Sequence, residues 1–474
     1  METQCNGVLF DFQGQNRRDV VATFDGGTIT TDGGALLLGE VERITGIIAG
    51  FAPCFSDHRD ADLIEHTVEQ LIAQRIYALA VGYEDLNDHD QLRNDTLLAL
   101  LAGKDDPTGN DRPRERDKGK ALAGKSTLNR LELTPIGANS KSRYKKITFN
   151  RSKADDFFVD VFVRSYDKAP LRIIIDLDAT DDPVHGNQLG RFFHGYYGNY
   201  CYLPLYIFCG EHLLCARLRP SDIDASAGSL KEIVRIVKQI RLSWPNVQII
   251  LRADSGFCRE PIMNWCENNN VDYVFGLAKN ERLLKELAQE LAEAEEEYKK
   301  TAKAARVFKD FTYQTLNSWS CSRRVVGKAE HLDKGANPRF VVTSLLKKDF
   351  DTRSLYEDMY CGRGDMENRI KEQQLCLFAD RTSAATMRAN QLRLLFSSVA
   401  YTLMAALRRL GLKNTELASA RCDTIRLKLL KIGARIKVTV RRVWISLSQS
   451  WPYREIFVMV YKQLRNMRPV LLKC

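Results

Sequence analysis

Apolar residues recur along the middle of the chain in two spacings, one typical of strands and one typical of helices. Apolar runs predict five strands, near residues 171–178, 201–208, 212–218, 247–254 and 271–277. Apolar residues at helical spacing predict helices over 226–242 and 260–269. The order of three strands, helix, strand, helix and strand predicts a mixed α/β sheet, because the last strand–helix–strand steps are parallel crossovers.

The segments on either side of this α/β pattern differ from it. The N-terminal part is mixed and then helical, and residues 104–120, which include no aliphatic or aromatic side chain, predict a flexible charged loop. A helix is expected to follow, with Ser126 or Thr127 as its N-cap. Residues 281–300 predict a charged helix and residues 307–345 predict strands, so this block interrupts the α/β pattern.

Charge is distributed unevenly along the 474 residues. The chain has a net charge of +10, and residues 381–474 hold 19 Lys or Arg against three Asp or Glu. Such a region favours a polyanionic partner such as nucleic acid, although solvated helix faces have the same composition. Alternating residues over 437–451 predict a strand within this basic region, after a segment that is predicted to be helical.

The composition also narrows the class of protein. The sequence has no run of eighteen apolar residues, so no membrane span is expected, and its first residues lack the pattern of a secretory signal. The twelve cysteines are scattered without a CxxC pair, as is typical of proteins in a reducing compartment. We therefore expect a protein of the cytoplasm.

Three acidic residues stand in positions that suggest chemistry. Asp178 lies near the end of one predicted strand, Asp254 ends another, and Glu367 lies in a predicted helix. Ligands of open α/β sheets bind at the carboxyl ends of the strands. Carboxylates that meet there form a seat for divalent metal, which phosphodiester chemistry needs. Asp176 is an alternative to Asp178, because residues two apart on a strand point to the same face.

The surroundings of Glu367 support the same chemistry. Tyr360, Arg363, Glu367 and Lys371 are spaced three, four and four residues apart, so on a helix they form one stripe. A Glu between basic residues is by itself typical of a surface ion-pair ladder. Beside two aspartates at strand ends, however, the stripe predicts basic side chains that hold phosphates next to a metal site.

Three segments together resemble a known family. They are DLDATDDPVHG at 176–186, LRADSGF at 251–257 and YCGRGDMENRIKE at 360–372. From about residue 20 to 410 the chain resembles the DDE transposases of bacterial insertion sequences, in the group called transposase DDE domain group 1. The resemblance implies an α/β fold, with a ribonuclease H-like mixed sheet and a β-rich insertion, plus a mainly helical N-terminal region and a basic C-terminal region.

The resemblance also implies an activity and its partners. Such an enzyme excises its element at the terminal inverted repeats and joins it to target DNA, by hydrolysis followed by transesterification. It implies two divalent ions, Mg²⁺ or Mn²⁺, and double-stranded DNA as partner. A homodimer in the synaptic complex and a location at the bacterial nucleoid are expected with it.

The family's motifs carry over residue by residue. Asp178, Asp254 and Glu367 match the three catalytic, metal-binding acids, with Asp176 as the competing choice for the first. The Tyr and Arg of the family signature, which contact DNA near the cleaved end, match Tyr360 and Arg363.

The resemblance implies two further DNA contacts. The wider signature has a Lys seven residues after the Glu, where this chain has Gln374, so Lys371 or Arg369 is expected to take that role. In some relatives a Trp of the insertion stacks on a flipped base. Trp319 is the only Trp in the corresponding block and is the candidate, with a buried core position as the alternative.

The resemblance divides the chain into five expected parts. They are an end-recognition region (1–150), the first part of the catalytic core (165–280), the insertion (281–345), the second part of the core with the Glu helix (346–410) and the basic C-terminal region (411–474).

Other functions fit parts of the sequence. Residues 119–126, GKALAGKS, match the phosphate-loop pattern, but the polar residues before them do not predict the buried strand that such a loop requires. An NTPase is therefore disfavoured. A catalytically inactive or domesticated sequence-specific DNA-binding protein is an alternative, and so is a ribonuclease H-like nuclease without strand transfer.

Overall fold

The computed structural model describes residues 9–15 and 18–469. The chain divides into two compact units. The terminal unit comprises residues 1–149 and 399–474, and the central unit comprises residues 150–398. The terminal unit therefore combines the two ends of the chain, and the central unit contains Asp178, Asp254 and Glu367.

The described strands are, in chain order, β1 (Phe10–Gln15), β2 (Arg18–Ala22), β3 (Thr28–Thr30), β4 (Phe55–Asp57), β5 (Ile147–Phe149), β6 (Arg172–Ala179), β7 (Asp182–Pro183), β8 (Phe192–His194), β9 (Asn199–Tyr202), β10 (Leu205–Cys209), β11 (His212–Arg217), β12 (Gln248–Ala253), β13 (Asp272–Leu277), β14 (Ala305–Tyr313), β15 (Arg323–Leu332), β16 (Gly335–Ala336), β17 (Arg339–Thr343), β18 (Ala434–Val438) and β19 (Val443–Leu447).

The described α-helices are α1 (Leu36–Thr45), α2 (Ile47–Phe51), α3 (Val68–Val81), α4 (His89–Leu92), α5 (Thr96–Leu101), α6 (Lys125–Glu132), α7 (Arg151–Arg164), α8 (Ser229–Ser243), α9 (Glu260–Asn268), α10 (Glu281–Glu286), α11 (Ala288–Thr301), α12 (Thr352–Ser354), α13 (Gly364–Lys371), α14 (Met387–Gly411), α15 (Cys422–Ile425) and α16 (Arg454–Arg465). Within the described residues, no helix is long and apolar enough to cross a lipid bilayer.

The main sheet of the central unit has the strand order β11-β10-β6-β12-β13-β17-β15-β14. β6, β12 and β13 are parallel neighbours, whereas β10 pairs antiparallel with both β6 and β11. In chain order these five strands lie as 3-2-1-4-5, which is a ribonuclease H-like arrangement. The expected mixed α/β sheet is therefore confirmed.

The predicted β-rich insertion contributes strands to this same sheet. β17 pairs antiparallel with β13, and β15 and β14 continue the sheet beyond β17. The charged helix predicted over 281–300 is two helices, α10 and α11, which meet at Leu287. Leu287, at the junction of the two helices, is fully buried in the apolar core of the central unit.

The core of the central unit follows from the predicted apolar pattern. α8 buries Ile233, Ile236, Val237 and Ile240, the stripe with helical spacing, in the same cluster as the apolar side chains of β6 and β12. Burial of each such side chain stabilises the fold by roughly 1.5–3 kcal/mol. The helix begins at Ser229 because Gly228 adopts a φ of 75°, a left-handed turn that suits glycine.

In the terminal unit, residues from the two ends of the chain form one sheet. β18 pairs antiparallel with β19 and with β3. The basic C-terminal region thus forms two strands, where the sequence predicted one over 437–451. The backbone at Gly34 also lies close to the segment before β18. A Cβ at Gly34 would be only 1.7 Å from the carbonyl oxygen of Leu429, so this approach requires glycine. Lys431 also forms an ion pair with Asp32, at 2.7 Å.

Two local predictions for the terminal unit were wrong. α6 begins at Lys125 with Gly124 as N-cap, rather than after Ser126 or Thr127. The carboxylate of Asp90, from another segment, accepts the Lys125 N–H at 3.0 Å, so the helix start does not need a Ser or Thr cap.

The segment predicted as a flexible charged loop, 104–120, is also held in place. Arg112 is 6% exposed, donates to Nε2 of His66 at 2.9 Å and forms an ion pair with Glu65. Polar composition alone predicted a solvated loop, whereas these buried polar contacts anchor the segment to the terminal unit.

Candidate active site

Two aspartates meet at the carboxyl ends of neighbouring strands. Asp178 is the penultimate residue of β6, and Asp254 directly follows β12. The two strands are parallel, with Leu177 opposite Ala253, so the register places the aspartates side by side. Their backbone environment fixes them, since Asp178 Oδ1 accepts from its neighbour's N–H at 2.9 Å and Asp254 Oδ1 accepts from the N–H of Gly256 at 2.8 Å.

Arg363 connects the sheet to the helix that carries Glu367. Its Nη1 lies 3.3 Å from Oδ2 of Asp178, and its Nη2 donates to Oε1 of Glu367 at 2.7 Å. The helix α13 starts just after Arg363, so Glu367 lies one turn further along. One guanidinium therefore lies between a carboxylate of the sheet and a carboxylate of the helix.

The electrostatics of Asp178 reflect this crowding. Burial raises the pKa of Asp178 to about 7, and the nearby carboxylates of Asp254 and Glu367 raise it as well, while Arg363 opposes the rise. Burial disfavours the charge of Arg363, but the carboxylates of Asp178 and Glu367 leave its pKa raised. The site thus concentrates negative charge that a cation stabilises.

Asp176 has a different environment from Asp178. It is 4% exposed and accepts two hydrogen bonds from Arg252, at 2.5 Å and 2.9 Å. Arg252 also donates from Nη1 to the carbonyl oxygen of Met359 at 2.6 Å. The carboxylate of Asp176 therefore forms a buried ion pair with Arg252, whereas the carboxylate of Asp178 faces Arg363.

Tyr360 lies next to Asp254 because a glycine leaves room for it. A Cβ on Gly276, in β13, would lie 2.6 Å from the Tyr360 hydroxyl and 3.0 Å from the backbone nitrogen of Ser255. Burial raises the pKa of Tyr360, and the negative charge of Asp254 raises it further. The phenol is therefore a neutral hydrogen-bonding group beside Asp254.

The predicted stripe around Glu367 does not lie on one regular α-helix. A π-helical turn spans Leu355–Tyr360, a 3₁₀ turn spans Cys361–Arg363, α13 follows, and a second π-helical turn spans Glu372–Cys376. Short π-helical segments are frequent at functional sites. Here the changes in winding set the directions of Tyr360 and Arg363 relative to Glu367.

The remaining polar candidates near α13 differ in their contacts. Lys371 is exposed at the end of α13. Arg369 forms an ion pair with Glu211 at 3.2 Å. Gln374, at the position of the signature Lys, donates to the carbonyl oxygen of Asp181 at 3.0 Å. Of these side chains, Lys371 is the most exposed.

Trp319 is not available for stacking on a base in this structure. Its ring is 8% exposed, packs edge-on against Tyr313 at 5.8 Å and lies 5.4 Å from the guanidinium of Arg323. This is the buried core position that the sequence left open as an alternative. The packing of Trp319 therefore supports a structural role in the core.

The three carboxylates have the donor atoms that a divalent cation binds. In this structure, however, they lie too far apart to hold one ion together. Among the described residues, no group of three or more His, Cys, Asp or Glu side chains is close enough to hold a metal ion. However, Asp178, Asp254 and Glu367 supply the oxygen donors that Mg²⁺ prefers. The guanidinium of Arg363 takes the place of a cation between two of them.

Sequence reasoning missed Arg252 and Gly276. Arg252 had a signal, because it is a charged residue within an apolar strand and stands two residues before Asp254, as Asp176 stands before Asp178. Gly276 had none, since its importance depends on the approach of Tyr360 from a distant segment.

The phosphate-loop pattern at 119–126 has no structural counterpart. No strand occurs between β4 and β5, a stretch that is described throughout, so Gly119 does not follow a buried strand. The NTPase alternative therefore lacks the strand–loop–helix unit that it requires.

Comparison with known proteins assigns the chain to a family. The chain belongs to the family transposase DDE domain group 1, whose model matches residues 12–469. A comparison with curated proteins finds no match. Among solved structures, the chain is similar to the piggyBac transposase in a synaptic complex with hairpin DNA, with 11% identity and a TM-score of 0.41. That similarity covers 94% of this chain and 86% of the other.

Proposed function

We propose that this transposase is a metal-dependent cut-and-paste enzyme, which excises a bacterial insertion sequence at its terminal inverted repeats and joins the freed ends to target DNA. The observation that supports it best is that Arg363 pairs with both Asp178 and Glu367, while Asp254 lies beside Asp178 at the end of the neighbouring strand. Family membership supports transposition as the class of reaction.

The three acids would hold two Mg²⁺ or Mn²⁺ ions. Bound ions activate the attacking water or 3′-hydroxyl and stabilise the leaving oxygen of the phosphodiester. Asp178 would bind a metal ion after losing its proton. Because its pKa is raised to about 7, part of the metal-free protein still has this proton near neutral pH. Arg363 contributes by leaving its carboxylate partners, after which its guanidinium is free to contact a phosphate.

Other residues would hold the DNA near the cleaved bond. Tyr360, beside Asp254, presents a neutral hydroxyl that can donate to a phosphate oxygen. Lys371, exposed at the end of α13, adds a positive charge on the same side of Glu367. Together with Arg363 they form a row of donors along the scissile strand.

The wider assembly is also proposed. Residues 1–150 would recognise the element's ends, and the basic residues 411–474 would contact DNA or a second subunit. Because both ends of the element must be held during joining, we expect a homodimer on DNA. The protein would act at the bacterial nucleoid.

The test is cleavage and joining of a labelled duplex that carries the element's own ends. Wild type is compared with Glu367→Gln in the presence of Mg²⁺, and DNA binding is measured for both. Asp358→Asn is the matched control, since Asp358 is an exposed acid nine residues earlier in the same helical segment. Glu367→Gln is expected to bind DNA but to lose cleavage by at least about 10²-fold.

The outcomes separate the alternative functions. Release and joining by wild type and Asp358→Asn, but not by Glu367→Gln, support the proposal. Release without joining by wild type would indicate a nuclease of the same fold. Binding without release by all three proteins would indicate an inactive DNA-binding protein and would overturn the proposed catalytic role of Glu367.

A further inference from the structure

The terminal unit contains a polar cavity of about 430 Å³, here called the basic pocket. Among the described residues, seven Lys or Arg and three Asp or Glu side chains line it. Its lining includes the loop before α6, the first turn of α6 and the segment that leads into β5. The pocket lies outside the central unit and is not part of the proposed catalytic site.

Only part of the positive charge in the basic pocket is neutralised. Arg93 pairs with Asp117 at 3.2 Å, and Arg112 pairs with Glu65. The side chains of Arg114, Arg130 and Lys146 form no ion pair with a carboxylate of the described residues. The pocket therefore has an excess of cationic groups that face solvent.

One buried side chain, His66, lies in direct contact with cationic side chains. His66 lines the pocket and accepts from Arg112 at Nε2, with Nζ of Lys104 3.4 Å from its other ring nitrogen. Burial lowers the pKa of His66 to about 3, and the charges of Lys104, Arg112 and Arg93 lower it further. His66 is therefore kept neutral mainly by burial, and the surrounding cations add to this effect.

Arg114, Arg130 and Lys146 all come from one basic segment of the sequence. Residues 111–146 hold eleven Lys or Arg against four Asp or Glu, whereas residues 1–110 have a net charge of −12. Exposed members of the segment, Lys118, Lys141 and Lys145, extend the positive charge beyond the cavity. An extended basic surface is suited to a chain of phosphates rather than to one compact anion.

We propose that the basic pocket binds backbone phosphates of DNA, with Arg114, Arg130 and Lys146 as the main contacts. The hydroxyls of Ser126 and Thr127, which also line the pocket, are further donors to a phosphate. This inference rests on the proposed function, since it names a surface that would hold the element's DNA. It does not depend on metal or on the catalytic acids.

The test is a salt titration of duplex binding by the full-length protein without metal, followed by fluorescence anisotropy. Wild type is compared with the triple variant Arg114→Ala/Arg130→Ala/Lys146→Ala. The matched control is Lys299→Ala/Lys300→Ala/Lys303→Ala, which removes the same charge from an exposed, acidic stretch of the central unit. Each lost phosphate contact lowers the slope of log K against log salt concentration by about 0.9.

The expected result is a slope smaller by about 2–3 in the pocket variant and unchanged in the control. The charge-conserving Arg114→Lys/Arg130→Lys variant should keep most of the slope, because the contact is ionic. Arg114→Ala alone, at an exposed position, should lower it by about one and guards against a fault in folding. Equal slopes for wild type, pocket variant and control would overturn the proposal.

A second arm separates DNA from a small anion. Inorganic phosphate is added to wild type and to the triple variant, and thermal stability is measured. If phosphate stabilises only wild type while the DNA slopes are equal, the pocket is a site for a compact anion and the DNA proposal is overturned. If the slopes differ as expected but wild type does not cleave with Mg²⁺, the pocket stands while the proposed transposition chemistry fails.

Discussion

Arg252 and Asp176 face each other across two parallel strands and form a bidentate, buried ion pair, with oxygen–nitrogen distances of 2.5 Å and 2.9 Å. Each stands two residues before a proposed catalytic aspartate, Asp254 or Asp178. The pair thereby fixes the register that brings these two carboxylates together. The ion pair between Arg252 and Asp176 therefore positions the two proposed catalytic aspartates and is not itself part of the proposed metal site.

This relationship separates the roles of Asp176 and Asp178. Asp176→Asn leaves the guanidinium of Arg252 buried without its counter-ion, so we expect a loss of about 3–5 kcal/mol in the free energy of unfolding. Asp178→Asn should cost less stability, because it removes a carboxylate whose charge is disfavoured, yet it should abolish DNA cleavage. Urea denaturation at pH 7.5 and the cleavage assay measure the two effects.

A paired replacement controls for the Asp176 prediction. Asp176→Leu/Arg252→Met removes both charges, so it should be more stable than Asp176→Asn alone. An Asp176→Asn protein that is as stable as wild type would contradict the structural role. Loss of cleavage by Asp176→Asn with full stability would instead favour Asp176 as the first catalytic acid.

The second prediction concerns Gly276, whose missing side chain leaves space for the hydroxyl of Tyr360. In Gly276→Ala the new Cβ would lie 2.6 Å from that hydroxyl and 3.0 Å from the backbone nitrogen of Ser255, so Tyr360 must move away from Asp254. We expect a loss of roughly 10-fold or more in cleavage rate. The measurement is single-turnover cleavage of the labelled duplex.

A double variant tests whether the Gly276→Ala effect acts through Tyr360. Tyr360→Phe removes the clashing oxygen, so Gly276→Ala should cost less in the Tyr360→Phe background than in wild type. Equal losses in both backgrounds would show that the backbone near Ser255, rather than Tyr360, responds to the added methyl group.

Most strands of the central sheet were predictable because an apolar run specifies each of them locally. The apolar run predicted as one strand at 201–208, however, is divided between β9 of a separate small sheet and β10 of the central sheet. The predicted strand at 247–254 is Gln248–Ala253, and the predicted helix at 260–269 is Glu260–Asn268. Burial of both faces of a parallel strand requires such a run, so tertiary context and sequence agree there. Asp178 and Asp254 could be recognised in the sequence because each stands at the end of such an apolar run.

The contacts between distant segments were not predictable from spacing. Nothing in either strand shows that Arg252 will face Asp176, because the register depends on how the strands pair. Likewise, the polar composition of 104–120 hides the burial of Arg112, which depends on His66 and Glu65 in another segment. The changes in helical winding before Arg363 also left no pattern in the apolar residues.

The third prediction concerns Arg363 as the cation that lies between Asp178 and Glu367. Arg363→Gln removes this charge, so the carboxylates repel each other more strongly and the protein alone should be less stable. Mg²⁺ no longer has to displace a guanidinium, so it should stabilise Arg363→Gln more than wild type. A tenfold gain in affinity corresponds to about 1.4 kcal/mol of added stability at saturating Mg²⁺.

The measurement for Arg363 is the shift in melting temperature on titration with Mg²⁺. Arg363→Gln/Glu367→Gln is the control and should show a smaller shift than Arg363→Gln, because one proposed ligand is missing. A Mg²⁺-induced shift in Arg363→Gln that is no larger than that of wild type would show that Arg363 does not compete with metal.

The last prediction follows from the neutral state of His66 in the basic pocket. In the unfolded chain the imidazole takes up a proton near its ordinary pKa of 6.5, whereas in the folded protein the pKa is lowered to about 3. The unfolded state therefore binds more protons between these values. His66 therefore does not lower the free energy of unfolding above pH 6.5. As the pH falls from 6.5 toward 3, His66 lowers it by at most about 1.4 kcal/mol per pH unit.

His66→Gln should remove this part of the acid destabilisation while its amide oxygen still accepts from Arg112. The free energy of unfolding, measured with urea at pH 7, 6, 5 and 4, should fall less steeply for the variant than for wild type. His58→Gln, in the same unit, controls for the loss of an imidazole as such. Parallel pH curves for wild type and His66→Gln would contradict the lowered pKa of His66, because a histidine near its ordinary pKa adds no such slope.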